Sequence, residues 1–212
     1  MPSATATVAK PKRQLRETAM NQRPQTTALS PDQHADLIPS LATQDELNQW
    51  ERENIIAARA WALSRRRLKS ADLFTEAYVR QLHRRMFSDT WKWAGAYRRS
   101  AKNLGVPAHQ ISDKIALLLG DMQRWVEHHT YDIDEIALRG HHQLVVIHPF
   151  ANGNGRHARL YADVIVAKFG REEFSWGRAT MLAAGSVRVA YLQALGAADR
   201  QEMLELLKFA RS

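Results

Sequence analysis

The chain has no cysteine among its 212 residues. That excludes disulfides, thiolate metal centres and cysteine nucleophiles, and it suits a reducing compartment, so a cytoplasmic location is expected. Glycine (10) and proline (7) are sparse, which disfavours a turn-rich β fold and predicts a helical one. No apolar run approaches the roughly 18 residues that a membrane span requires, and no membrane association is expected. An alternation of strands and helices is also missing, which argues against a dinucleotide-binding fold.

What is present is the composition of a globular protein, 45% hydrophobic and 25% charged. The formal net charge is +8. Half of it resides in residues 1–29, where Lys10, Lys12, Arg13, Arg16 and Arg23 face Glu17 alone. This stretch is rich in Ala, Thr, Gln and Pro without an apolar core, and it predicts a disordered basic tail rather than a secretory leader. The rest of the charge is spread over a long body, enough to attract a polyanionic small molecule. Nucleic acid is therefore not the expected partner. The runs Arg65-Arg66-Arg67 and Arg84-Arg85 are read as solvated helix faces.

Hydrophobic spacing predicts an all-α fold with one small β excursion. Ser30-Pro31-Asp32 opens a short segment that Pro39 closes. Thr43-Gln44-Asp45-Glu46 has the form of a capping box, followed by an amphipathic helix to about Lys69. Thr75 caps a second helix that carries Tyr78, Val79, Leu82, Met86 and Phe87. Further helices are predicted at 115–128, 132–147, 155–169, 178–195 and 200–210. Between them, residues 97–111 lose periodicity and include Asn103, Gly105 and Pro107, the marks of a loop or short hairpin. The domain reading is a tail at 1–29, an N-terminal helical segment at 30–69, and a main domain at 70–212.

The chemistry concentrates in His148-Pro149-Phe150-Ala151-Asn152-Gly153-Asn154-Gly155-Arg156-His157-Ala158-Arg159. Pro149 cannot continue the helix before it. Gly153 and Gly155 free the backbone and leave room for a ligand. The helix that follows presents unpaired N–H groups and a positive dipole end, an anion site. Arg156 and Arg159 share a face of its first turns, and guanidinium forks match phosphate oxygens. His148 is a base of suitable pKa beside them. This outlines a phosphoryl- or nucleotidyl-transfer site.

The stretch resembles the Fic family motif H-P-F-x-[D/E]-G-N-G-R-x-x-R through His148, Phe150, Gly153, Asn154, Gly155, Arg156 and Arg159. Trp93-Ala94-Gly95 followed by Arg98 resembles the element before that family's flap. The resemblance extends over about residues 40–200 and is close to the bacterial subgroup called mobile mystery protein B. It implies a Fic-fold helical bundle with a short β-hairpin flap at 98–108, which holds a target protein by strand addition. It implies transfer of AMP from ATP to a Ser, Thr or Tyr hydroxyl, with His148 as the base. Gly153, Asn154 and Gly155 then correspond to the nest for the α- and β-phosphates. Arg156 corresponds to the arginine that organises the β- and γ-phosphates, and Arg159 to the arginine on the γ-phosphate. The family's Mg²⁺-holding acidic position is Asn152 here, a neutral oxygen ligand, which implies weaker Mg²⁺ binding.

The intact Gly153-Asn154-Gly155 favours adenylylation over phosphorylation. Transfer of another phosphate-containing group, or a non-catalytic regulatory or DNA-associated role, are the alternatives. The resemblance also suggests a helix-turn-helix protein as partner. Glu53-Asn54 resembles the end of the family's inhibitory helix motif, with Gln49 in place of Ser or Thr, which makes Glu53 an inhibitory candidate expected to pair with Arg159, the other reading being an ordinary charged helix face. Most of the six tryptophans are read as core filling. His141, His142 and His148 lack a carboxylate at ligand spacing and are not read as a zinc site.

Overall fold

The structure is a computed structural model that describes residues 35–102, 104–178 and 184–212. The tail at 1–29, the start of order at Ser30 and the position of Asn103 lie outside the described residues. Helix α1 spans Gln44–Ala62 and opens on the capping box: Glu46 N–H donates to Thr43 Oγ1 at 3.3 Å, and Thr43 N–H donates to Glu46 Oε2 at 3.0 Å. It stops short of the predicted Lys69. Ser64 takes an extended conformation and its hydroxyl donates to the Trp61 carbonyl at 2.8 Å, so a local side-chain bond replaces the helical ladder. A short helix α2 then runs over Arg65–Ser70.

Helix α3 spans Glu76–Phe87 and is capped by Thr75, whose Oγ1 accepts the Tyr78 N–H at 3.2 Å. A 3-10 turn at Ala108–Gln110 leads into α4, Ile111–Glu127. Helix α5, Ile133–Ile147, is capped by Asp132. Helices α6 (Asn154–Lys168), α7 (Ala184–Asp199) and α8 (Met203–Arg211) follow.

The centre of the bundle is the α5–α6 pair, joined by the loop that carries the motif. Leu144, Ile147, Leu160, Tyr161, Val164 and Ile165 are buried between them and their neighbours. Each such side chain contributes about 1.5–3 kcal/mol on removal from water, so the loop hangs between the two most firmly held helices. Helices α1 and α6 pack on α3, and α8 packs on α7 and α5. The apolar face of α1 lies against α3, with Leu47, Ala58 and Ala62 buried.

The expected β-hairpin at 98–108 is absent among the described residues. Two isolated bridges occur instead, Leu37 with Trp91 and Tyr97 with Phe150. The backbone of the segment is anchored to the motif loop and the end of α5: Arg98 N–H donates to the Pro149 carbonyl at 2.9 Å and Val106 N–H to the Ile147 carbonyl at 3.3 Å. Backbone groups bound across to the loop are not available for a hairpin ladder.

Candidate active site

His148 ends α5 in the left-handed region, φ 52° and ψ 58°, with its N–H bonded to the Leu144 carbonyl at 3.0 Å. Proline at the next position removes the donor that would extend the helix, and the turn swings the imidazole to the mouth of a cavity of about 820 Å³. Burial holds the imidazole pKa below its ordinary value, with the charges of Arg98 and Lys102 acting in the same sense against a bond to the Val145 backbone. The ring is therefore neutral at pH 7, with a free lone pair.

Two elements distant in sequence hold this loop, one at His148 and one at its inner side. Arg98 is buried, and its guanidinium collects backbone carbonyls: Nε donates to His148 at 2.7 Å, Nη1 to Ser100 at 3.0 Å, and Nη2 to Val106. Gly105, at φ 99°, lies so close that a Cβ there would sit 2.6 Å from His148 Cβ. On the inner side, His83 is fully buried and stacks on Phe150 at 3.7 Å. Its Nδ1 accepts the Gly95 N–H at 3.0 Å, which leaves Nε2 as donor to the Asn152 carbonyl at 3.1 Å. Burial drives its pKa well down, so the neutral tautomer is held.

The loop itself divides its labour. Asn154 is buried, and its amide bonds the Phe150 N–H and carbonyl, both at 2.9 Å. It shapes the nest by stapling the loop rather than by offering its side chain to a ligand. Gly153, at φ 78°, caps α6, and a Cβ there would strike the Phe87 ring at 2.5 Å. Around Gly155, by contrast, nothing lies within 4 Å of a Cβ position. Packing does not require glycine there, and the space above the first amides of α6, an anion-binding position, stays open.

Arg156 and Arg159 both line the cavity. Arg159 lies over the Tyr191 ring at 5.3 Å, and the Tyr191 hydroxyl meets His141 Nε2 at 3.1 Å. Arg156 lies over Phe87 and pairs with Glu51 of α1, whose other oxygen accepts the Trp91 indole N–H at 2.7 Å. The expected Glu53–Arg159 pair does not form: Glu53 is exposed and takes a bond from Gln49 at 3.3 Å. Glu51 lies two residues earlier, on the inner face of the same helix. Helical phase, not motif likeness, decides which carboxylate faces the loop.

From across the cavity, Arg178 and the α7 residues Arg188 and Tyr191 join the wall, with Trp176 and Phe209. Their sequence spacing from the motif carries no periodic signal; only the packing of α7 and α8 on α5 brings them there. No carboxylate lines the cavity among the described residues. Asn152 Oδ1, the expected metal ligand, accepts the Gly153 N–H at 2.7 Å. A neutral oxygen already in use, with no carboxylate beside it and no cluster of three metal-ligating groups among the described residues, does not build a protein site for Mg²⁺. His141 and His142 are committed elsewhere, to Tyr191 and to Asp199 at 2.8 Å.

Residues 73–166 match the model of the Fic/DOC family. Those residues are similar to a Fic/DOC domain. It is 30% identical over 96 residues to "Protein adenylyltransferase Fic" of Drosophila persimilis, an alignment covering 43% of this chain and 19% of that protein. The match thus spans about a fifth of the relative's length. Among solved structures, BepC of Bartonella tribocorum with bound AMPPNP aligns with TM-score 0.64 and 17% identity, over 87% of this chain and 92% of that one. The ADP-bound N-terminal Fic domain of a Bartonella quintana effector aligns with TM-score 0.60 and 17% identity, over 81% and 86%. The fold is that of Fic domains. The matched residues hold α3 to α5 and all but the end of α6, and the Arg178–Tyr191 wall lies outside them.

Proposed function

We propose that the chain transfers AMP from ATP to a hydroxyl side chain of another protein. One observation carries this reading: a neutral His148, the open amides at Gly155, and Arg156 and Arg159 face one cavity whose described lining bears no negative charge. The triphosphate lies along the start of α6, where the amides and guanidinium groups offset its charge. The target hydroxyl oxygen attacks the α-phosphorus while His148 accepts its proton. A bond forms from that oxygen to phosphorus, the bond to the bridging oxygen of the β-phosphate breaks, and pyrophosphate leaves, its charge held by the arginines. The names of the matched relatives, and the AMPPNP and ADP in the neighbours' structures, support the nucleotide. The target docks along residues 98–108, whose base is tied to the loop at Tyr97 and Phe150.

A specific observation also favours a second reading. Asn152 brings no charge to the position that the family motif reserves for an acid, so another phosphate-containing donor with a different metal demand fits the same scaffold. The test is incubation of the purified chain with labelled ATP, Mg²⁺ or Mn²⁺ and host lysate, beside His148→Ala, with the added mass read on every labelled protein. An AMP adduct lost in the variant supports adenylylation, and an adduct of another mass supports the second reading. No adduct under any condition refutes both.

A further inference from the structure

A second cavity, of about 830 Å³, opens between α2 and the outer face of α3 and shares no lining residue with the loop cavity. Here the fold joins two charge runs that look unrelated in sequence. Arg67 comes from α2; Arg80, Arg84 and Arg85 come from α3; Asp72 is the carboxylate in the wall. Arg80 is committed, to Glu76 at 3.6 Å and to the Gly95 carbonyl at 3.0 Å. Among the described residues, the guanidinium groups of Arg67, Arg84 and Arg85 form no ion pair and donate no hydrogen bond within the protein. Arg67 and Arg85 instead lie over the ring of Trp61, at 4.5 and 5.1 Å from its centroid. These cation–π contacts hold the two guanidinium groups over the ring without using their N–H donors, which stay available to phosphate oxygens.

Tyr78 adds an independent observation. It lines the same cavity and stacks on Trp61 at 6.4 Å, and it is only 5% exposed, yet its buried hydroxyl has no partner. A buried donor left without an acceptor is costly in a folded protein. The hydroxyl is closed to solvent in this structure, so a ligand oxygen in the cavity reaches it only when the side chains covering it shift. Burial pushes the phenol pKa up to about 12, so the hydroxyl stays a donor.

We propose that this face binds the phosphodiester backbone of a nucleic acid, one phosphate in the cavity and its neighbours along α2. Arg65 and Arg66 are exposed on α2 and carry the charge beyond the cavity. A lone small anion is saturated by one or two guanidinium groups, whereas charge continued along two helices suits a ligand with repeating charge.

The test is fluorescence anisotropy of labelled oligonucleotides of increasing length, with the full chain, over a salt series. Affinity should rise with length. R67A/R84A/R85A should reduce the slope of log K against log salt by about 2–3, three fewer phosphates neutralised. The basic tail is identical in both proteins, so the difference belongs to the cavity. Tyr78→Phe, which removes an unpaired buried hydroxyl and no charge, should weaken binding severalfold at unchanged slope without lowering Tm. An unchanged slope in the triple variant overturns the proposal. So does length-independent binding displaced by millimolar inorganic phosphate, which assigns the cavity to a small phosphate ligand.

Discussion

The Arg156 guanidinium is held by Glu51, a carboxylate 5% exposed at its side chain and belonging to α1, which precedes the family-matched residues 73–166. The same carboxylate accepts the Trp91 indole N–H at 2.7 Å, so it is fixed from both sides. An arginine paired in this way is less available to a phosphate.

Glu51→Gln should therefore tighten ATP binding, by about tenfold if the pair contributes about 1.4 kcal/mol. The amide oxygen still serves Trp91, so folding survives. Glu53→Gln, which faces solvent, should leave affinity unchanged. Calorimetric titration with a non-hydrolysable ATP analogue checks both; equal effects of the two substitutions would contradict the assignment.

The two loop glycines should separate stability from binding. Gly153→Ala meets Phe87 and a positive φ, and should cost on the order of 1–3 kcal/mol of stability. Gly155→Ala enters open space and should leave Tm within a degree or two while weakening nucleotide binding tenfold or more. Thermal melts beside the same titration distinguish them. A stability loss at Gly155 with binding retained would reverse the reading.

Transfer should persist into mildly acidic solution. The His148 pKa is depressed below its ordinary 6.5 by burial first, so the neutral base survives as pH falls through 6.5 and is lost only lower. The acidic limb of the rate profile is expected below pH 6.5. A limb at or above that value would show that the charge environment of His148 differs from the one described.

Stability, by contrast, should weaken in that range. His157 is buried against the Val79 carbonyl at 2.9 Å, and burial lowers its pKa to about 4. In the unfolded chain it binds a proton near 6.5. Its contribution is thus full above pH 6.5 and is lost as pH falls toward 4, because the unfolded state takes up the proton first. Urea unfolding across this window should show the decline. His157→Gln should start from lower stability and decline less steeply; a parallel decline would place the titration elsewhere.

Local patterns made much of this legible. The Thr43 capping box, the Thr75 and Asp132 caps, and the apolar faces of α3, α5 and α6 all depend on residues within a turn or two of one another. The motif was readable for the same reason: His148, Gly153, Gly155, Arg156 and Arg159 are neighbours along the chain, and helix termini impose their anion-binding geometry locally.

What the sequence determined by itself was therefore the helical content, the loop between α5 and α6, and the residue types gathered on it. Tertiary structure alone decided which distant groups face that loop. Glu51 rather than Glu53 reaches Arg156, since rotation about a packed helix axis selects the partner. His83 and Arg98 brace the loop from segments tens of residues away, and Arg178, Arg188 and Tyr191 close its far wall. The β-hairpin expected at 98–108 gave way to bonds with the loop, a competition between local pairing and long-range pairing that no short window contains. The arginine runs on α2 and α3 became one surface in the same way. Contacts across large sequence separations depend on how whole faces pack, and that information is distributed over the entire core.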